Sequence, residues 1–146
     1  MDALIAWVDK RLALAIHERQ LAEHGGSGGV RDEKLLESAL ARPQQLHAYG
    51  DPPSDFAALA ASLAYGLARN YPFVDGNKRT AAVCCEVFLG INNVELDAND
   101  TELYSEYYAL AEGKLAETDL AAWLRPRLKL TGRARVHEKR ARYARR

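Results

Sequence analysis

Between Arg69 and Thr80 the sequence reads Arg-Asn-Tyr-Pro-Phe-Val-Asp-Gly-Asn-Lys-Arg-Thr, which sets a carboxylate (Asp75), an amide (Asn77) and three cations (Arg69, Lys78, Arg79) inside one short stretch. Groups of this kind at this density suit the handling of phosphate. Gly76 lets the backbone turn tightly or come close to a ligand, and the run Thr80-Ala81-Ala82-Val83-Cys84-Cys85-Glu86-Val87-Phe88-Leu89 that follows has a helical pattern. Lys78 and Arg79 therefore fall at a helix N-terminus, an end that the macrodipole makes unfavourable for cations and where free backbone N–H groups await an acceptor. A bound phosphate answers both.

The elements around this stretch read as helices. Leu4, Ile5, Val8, Leu12, Ile16 and, less regularly, Leu21 predict an amphipathic first helix over residues 3 to 22, stopped by His24-Gly25-Gly26-Ser27-Gly28-Gly29. That glycine run lacks the Lys-Ser or Lys-Thr ending of a P-loop and a strand before it, so it reads as a connection and not as a nucleotide cradle. Asp32 is placed to cap a second helix carrying Leu35, Leu36, Ala39 and Leu40, bounded by Pro43, with 44 to 53 as a connection containing Gly50-Asp51-Pro52-Pro53. The third helix, about 55 to 69, and the fourth, about 78 to 91, are the most apolar, so the loop between them is expected to be held by the core. Val94-Glu95-Leu96 makes at most a short extended piece. Asn99 or Asp100 caps a fifth helix running to Gly113, and Thr118 caps a sixth through Leu120, Trp123 and Leu124 before Pro126. With no convincing strand pair, repeat or heptad run, the fold class is all-α.

A chain of 146 residues suits one domain. No apolar run is long enough to span a membrane and nothing at the N-terminus resembles a signal peptide, which points to a cytoplasmic protein without membrane contact. Cys84 and Cys85 are neighbours, roughly 100° apart on a helix, and read as buried reduced thiols. The zero net charge conceals a polarity: residues 125 to 146 hold ten Lys or Arg against the single acid Glu138, leaving ten basic against nineteen acidic residues in the rest. The tail would ordinarily be a solvated extension; its sharper reading is nonspecific contact with nucleic acid or with an acidic neighbouring subunit.

The run Tyr71-Pro72-Phe73-Val74-Asp75-Gly76-Asn77-Lys78-Arg79 resembles the signature of the Fic/Doc family, His-Pro-Phe-x-Asp/Glu-Gly/Ala-Asn-Gly/Lys-Arg, and Thr80-Ala81 continues its Doc version. The likeness extends to Ala22-Glu23-His24-Gly25-Gly26, to Arg31-Asp32, to Leu35 through Leu40 with Arg42-Pro43, and to Ala121-Ala122-Trp123-Leu124. It implies a compact Fic-type bundle of about six helices over residues 1 to 124, with 125 to 146 as a basic C-terminal extension. By the same resemblance, Phe73 anchors the loop and Asp75 ligates the Mg²⁺ that bridges the phosphates of ATP. Gly76, Asn77, Lys78, Arg79 and the helix-start amides bind phosphate, with Arg69 similarly placed. Lysine at position 78 implies the Doc reaction, transfer of the γ-phosphate of ATP to a threonine of elongation factor Tu, which blocks translation.

One position departs from the signature. The family's general base is a histidine, and this chain has Tyr71, whose phenol, with an ordinary pKa near 10, stays protonated at neutral pH. Loss of a general base lowers the rate on the order of 10²- to 10⁴-fold, so nucleotide binding with weak transfer is expected. Intact Asp75, Asn77, Lys78 and Arg79 favour a change made or selected to tolerate a toxic protein over a degenerate sequence. The alternatives are a non-catalytic module that binds nucleotide and antitoxin, and AMP transfer. No internal inhibitory motif is present, so the resemblance implies control by a separate antitoxin of the Phd type. His17, His24, His47 and His137 are scattered and read as surface or loop residues; Tyr104, Tyr107 and Tyr108 read as core or partner contacts outside the site.

Overall fold

The computed structural model describes residues 5 to 50 and 53 to 144; Met1 to Leu4, Asp51, Pro52, Arg145 and Arg146 lie outside the described residues, as do the side chains of Arg133, Arg140, Arg142, Tyr143 and Ala144. It is a helical bundle of α1 (Lys10–His24), α2 (Glu33–Tyr49), α3 (Phe56–Asn70), α4 (Asn77–Ile91), α5 (Asp100–Ala111), α6 (Glu117–Leu124) and α7 (Arg133–Ala144). Two three-residue strands, β1 (Val94–Leu96) and β2 (Leu128–Leu130), pair antiparallel with Glu95 opposite Lys129.

Side-chain caps set most helix starts. Asp9, Asp32 and Asp55 accept from Leu12 N, Leu35 N and Ala58 N, and Asn99 and Glu102 close a capping box on α5. Helix α3 sits at the centre, packed against α2, α4, α5 and α6, and its alanines permit close approach. At Gly66 an added Cβ would fall 2.9 Å from Ala39 Cα, so α2 and α3 touch there backbone to backbone. The core is the expected face of α3 and α4: Leu59, Leu63, Leu67, Phe88 and Leu89 are each at most 1 % exposed.

Three boundaries and one strand pairing differ from the sequence reading. Residues 5 to 9 precede α1 instead of beginning it, because Asp9 caps at Lys10 and the Asn92 amide binds both Ala6 N and Ala6 O. Pro43 lies inside α2; it removes a single backbone bond, and its buried ring and the core contact of Leu46 carry the helix on to Tyr49. Helix α6 starts from Ala116, whose N–H is held by Asp119, and not from Thr118. Finally β1 has a partner, which its brevity hid.

The basic C-terminal stretch packs on the body. Ala134, His137 and Ala141, on one face of α7, are buried. His137 Nε2 donates to Ser54 O at 2.7 Å, and Glu138 accepts from Phe56 N at 2.9 Å, so the tail's single acid neutralises the N-terminus of α3. Arg125 grips the buried Asp55 carboxylate through Nε at 2.6 Å and Nη2 at 3.1 Å.

Candidate active site

The loop between α3 and α4 is fixed before any ligand is considered. Helix α3 ends at Tyr71 in the left-handed region, φ 50° and ψ 54°, an unfavourable conformation for an aromatic residue. Arg31 supports it, donating from Nε to Tyr71 O at 2.6 Å and from Nη2 to Asn70 O at 2.8 Å, where the carbonyls at the end of α3 carry partial negative charge. The chain then runs antiparallel beside residues 29 to 32: Arg31 N and Asp32 N donate to Pro72 O, and Val74 N donates to Gly29 O. Phe73, 1 % exposed, is the buried anchor.

Asn77 closes the turn through its side chain, which accepts from Phe73 N and donates to Phe73 O. Its amide is therefore committed to the loop, and what Asn77 presents outward is its backbone. Gly76, at φ 75°, caps α4 without a side-chain acceptor, so the first-turn N–H groups have no side-chain cap. Lys78 and Arg79 form no ion pair among the described residues; the Lys78 ammonium lies 4.8 Å from the centre of the Tyr108 ring.

These groups face a cavity of about 560 Å³, lined on one side by Tyr71, Asp75, Gly76, Asn77, Lys78, Arg79 and Tyr108 and on the other by Gln20, Leu21, His24, Gly25 and Gly26. Arg69 is not in that lining. Two residues before the loop, its helical position turns it toward Tyr65, 5.7 Å from the ring centre, and toward Gly113. The Tyr71 hydroxyl donates to Ala111 O at 3.3 Å, so its proton is directed at a main-chain carbonyl on α5.

Asp75 is exposed, with Oδ1 accepting from Gly76 N at 2.9 Å and Oδ2 from Ser27 N at 3.3 Å. No cluster of three or more His, Cys, Asp or Glu capable of holding a metal occurs among the described residues. A single carboxylate with spare lone pairs fits a hard cation that arrives with phosphate oxygens and water, and does not fit a resident metal held by protein alone.

Several contributors escaped the sequence reading. The glycine run, expected to be a plain connection, is a wall of the cavity and binds Asp75 through Ser27 N. His17 and His137 are buried, not surface residues, at 3 % and 7 % exposure. The signal for His17 was present: Ala13, Ile16, His17 and Gln20 recur at the helical period and form the buried face of α1. Tyr107 is core as expected, while Tyr108, the next residue, lies in the cavity wall. Cys84 and Cys85 are free and buried, and desolvation pushes each thiol up to about 12.

No helix among the described residues is long and apolar enough to cross a membrane. Residues 7–89 match the pattern of the Fic/DOC family. The chain is similar to Toxin Doc of Mycolicibacterium smegmatis, 49% identical over 76 residues that make up 51% of this chain and 58% of that protein. It is also similar to Protein kinase doc of Escherichia phage P1, 30% identical over 112 residues, 77% of this chain and 87% of that protein. The chain is a Doc-type member of the Fic/DOC family.

Proposed function

We propose that this chain is a Doc-type toxin whose cavity binds ATP and whose reaction is transfer of the γ-phosphate to a threonine of elongation factor Tu, with transfer strongly impaired by Tyr71. One observation carries the reading: the uncapped N-terminus of α4, two cations without an ion-pair partner among the described residues, and one exposed carboxylate share a single cavity wall. That combination suits a polyphosphate.

The residues have separable roles in it. The first-turn amides of α4 with Lys78 and Arg79 bind phosphate oxygens and oppose the charge that develops on the transferred group. Asp75 would hold Mg²⁺, which supplies neutralisation of the β- and γ-phosphate oxygens when bound. Gly76 gives the backbone its close approach. Arg69 lies outside the lining of that cavity, so this reading assigns it no phosphate contact there. As the acceptor hydroxyl attacks, its proton must leave, and position 71 is where the family keeps its base. The Tyr71 hydroxyl directs its own proton at Ala111 O, and a phenol is a far weaker base than the imidazole it replaces. The same contact supports a second reading, a non-catalytic module that retains nucleotide and antitoxin affinity.

Control falls to an antitoxin of the Phd type, and the setting is the cytoplasm. A titration with a non-hydrolysable ATP analogue tests binding, and ATP labelled at either the α or the γ position tests chemistry. Protein labelling from the γ position supports the kinase reading, labelling from the α position replaces it with AMP transfer, and absence of binding removes both.

A further inference from the structure

His17 holds the loop from beneath, and the proposed chemistry gives it no part. It touches the loop at two places and faces a third. Its ring lies parallel to Phe73, with centroids 3.9 Å apart and 8° between planes. Its Nε2 stands 2.8 Å from Asp75 O, and an added Cβ at Gly76 would lie 3.8 Å from the same nitrogen. A carbonyl oxygen only accepts, so Nε2 is the donor in this contact.

We propose that His17 is a positioning residue of the anion site: by pinning the Asp75 carbonyl it sets the plane of the Asp75–Gly76 peptide, and with it the direction in which the first N–H groups of α4 point. Glycine at position 76 restrains that peptide little by itself, since it adopts φ 75° without steric penalty. The Asp75 carboxylate is bound on the opposite side by Ser27 N and Gly76 N, so the residue is held at both ends. Stacking fixes the Phe73 ring; the hydrogen bond fixes the peptide. This inference rests on the phosphate-binding reading of the loop.

His17→Phe keeps an aromatic ring and removes the donor, whereas His17→Gln restores an amide donor near the place of Nε2. Affinity for a non-hydrolysable ATP analogue is measured without and with Mg²⁺, beside thermal unfolding and amide exchange at Val74 and Gly76. The phenylalanine variant is expected to bind about 3- to 10-fold more weakly, as loss of one hydrogen bond implies, with faster exchange at Gly76 and nearly unchanged unfolding. The glutamine variant returns to within about twofold of the unaltered chain. Equal binding by the phenylalanine variant, or equal weakness in both variants, overturns the proposal. If the unaltered chain binds no nucleotide, the nucleotide reading fails and exchange decides: acceleration in the phenylalanine variant alone supports the positioning role, and no acceleration overturns it. Should that variant not fold, His17→Asn, too short to reach Asp75 O, takes its place.

Discussion

Asn77 is bonded to Phe73 at both ends of its amide, with Oδ1 accepting from Phe73 N at 2.9 Å and Nδ2 donating to Phe73 O at 3.0 Å. The side chain that resembles a phosphate ligand in sequence thus acts first as a clasp on the loop. Replacing Asn77 with Ala leaves two partly buried main-chain groups of Phe73 unpaired and is expected to cost about 1–3 kcal/mol. Thermal unfolding would show the loss. An unchanged midpoint would mean the clasp does not hold the loop.

The glycine run supplies a sharper comparison. At Gly26, φ 124°, an added Cβ would lie 2.9 Å from Asp75 Oδ2 and 3.0 Å from Leu21 Cδ2, while at Gly25, φ 79°, it meets nothing within 4 Å. Both substitutions strain the backbone by about 1–3 kcal/mol. Only Gly26→Ala also displaces Asp75, so it is expected to weaken Mg²⁺-dependent ATP binding beyond the effect of Gly25→Ala. Equal binding by the two variants would remove the glycine run from the site.

Glu86 is raised above its ordinary value, first by desolvation and then by Asp100. A carboxyl raised by folding binds its proton more tightly in the native state, so the native state is favoured while the pH lies below the unfolded value and that advantage is lost as pH rises through the folded one. Glu86→Gln should therefore raise the unfolding temperature at pH 7, and the gain should fade as pH approaches 4. Because the side chain is partly exposed, the gain is expected to stay below about 1 kcal/mol. A pH-independent difference would contradict the assignment.

Burial pushes Cys84 and Cys85 up to about 12, which leaves no appreciable thiolate at pH 8. Native protein should resist a thiol-specific reagent for as long as it stays folded, and denaturant should expose both thiols together. The same upward shift favours the native state below the ordinary thiol value near 9 and withdraws that contribution as pH rises toward 12. Rapid labelling of the native protein would show that α4 opens locally.

Truncation after Leu130 would strip the partners from Phe56 N and Ser54 O and uncover the face that Ala134, His137 and Ala141 bury. Loss of the Phe56 and Ser54 hydrogen bonds alone is expected to cost about 2 kcal/mol, lowering the unfolding temperature by several degrees. Removing α7 is thus a poor test of nucleic-acid contact, and Arg135→Ala, at an exposed position, is a cleaner one. A truncated chain as stable as the full one would show that α7 adds nothing to the core.

The loop was legible because its chemistry is local: charge density, Gly76 and the change to helical periodicity all lie within a dozen residues. The central pair α3 and α4 was equally legible, since both are apolar on most sides. What sequence could not supply was contact across distance. His17 meets Asp75 across 58 residues and Ser27 meets it across 48, and periodicity shows only that His17 faces inward. Arg69 stands apart from the cavity lining for a related reason: adjacency in sequence set it beside the motif, while helical phase turned it toward Tyr65 and Gly113. The basic tail misled because its charges dominate composition, whereas among the described residues Ala134, His137 and Ala141 are buried and Glu138 binds Phe56 N.

The proposed phosphate site stands beside a phenol at the position where transfer needs a proton acceptor. The most direct test is transfer from γ-labelled ATP with Mg²⁺ to elongation factor Tu, comparing the unaltered chain with Tyr71→His. Weak or absent label is expected with tyrosine and a rise on the order of 10²- to 10⁴-fold with histidine. Equal transfer by the two, or none by either while ATP still binds, would contradict that expectation.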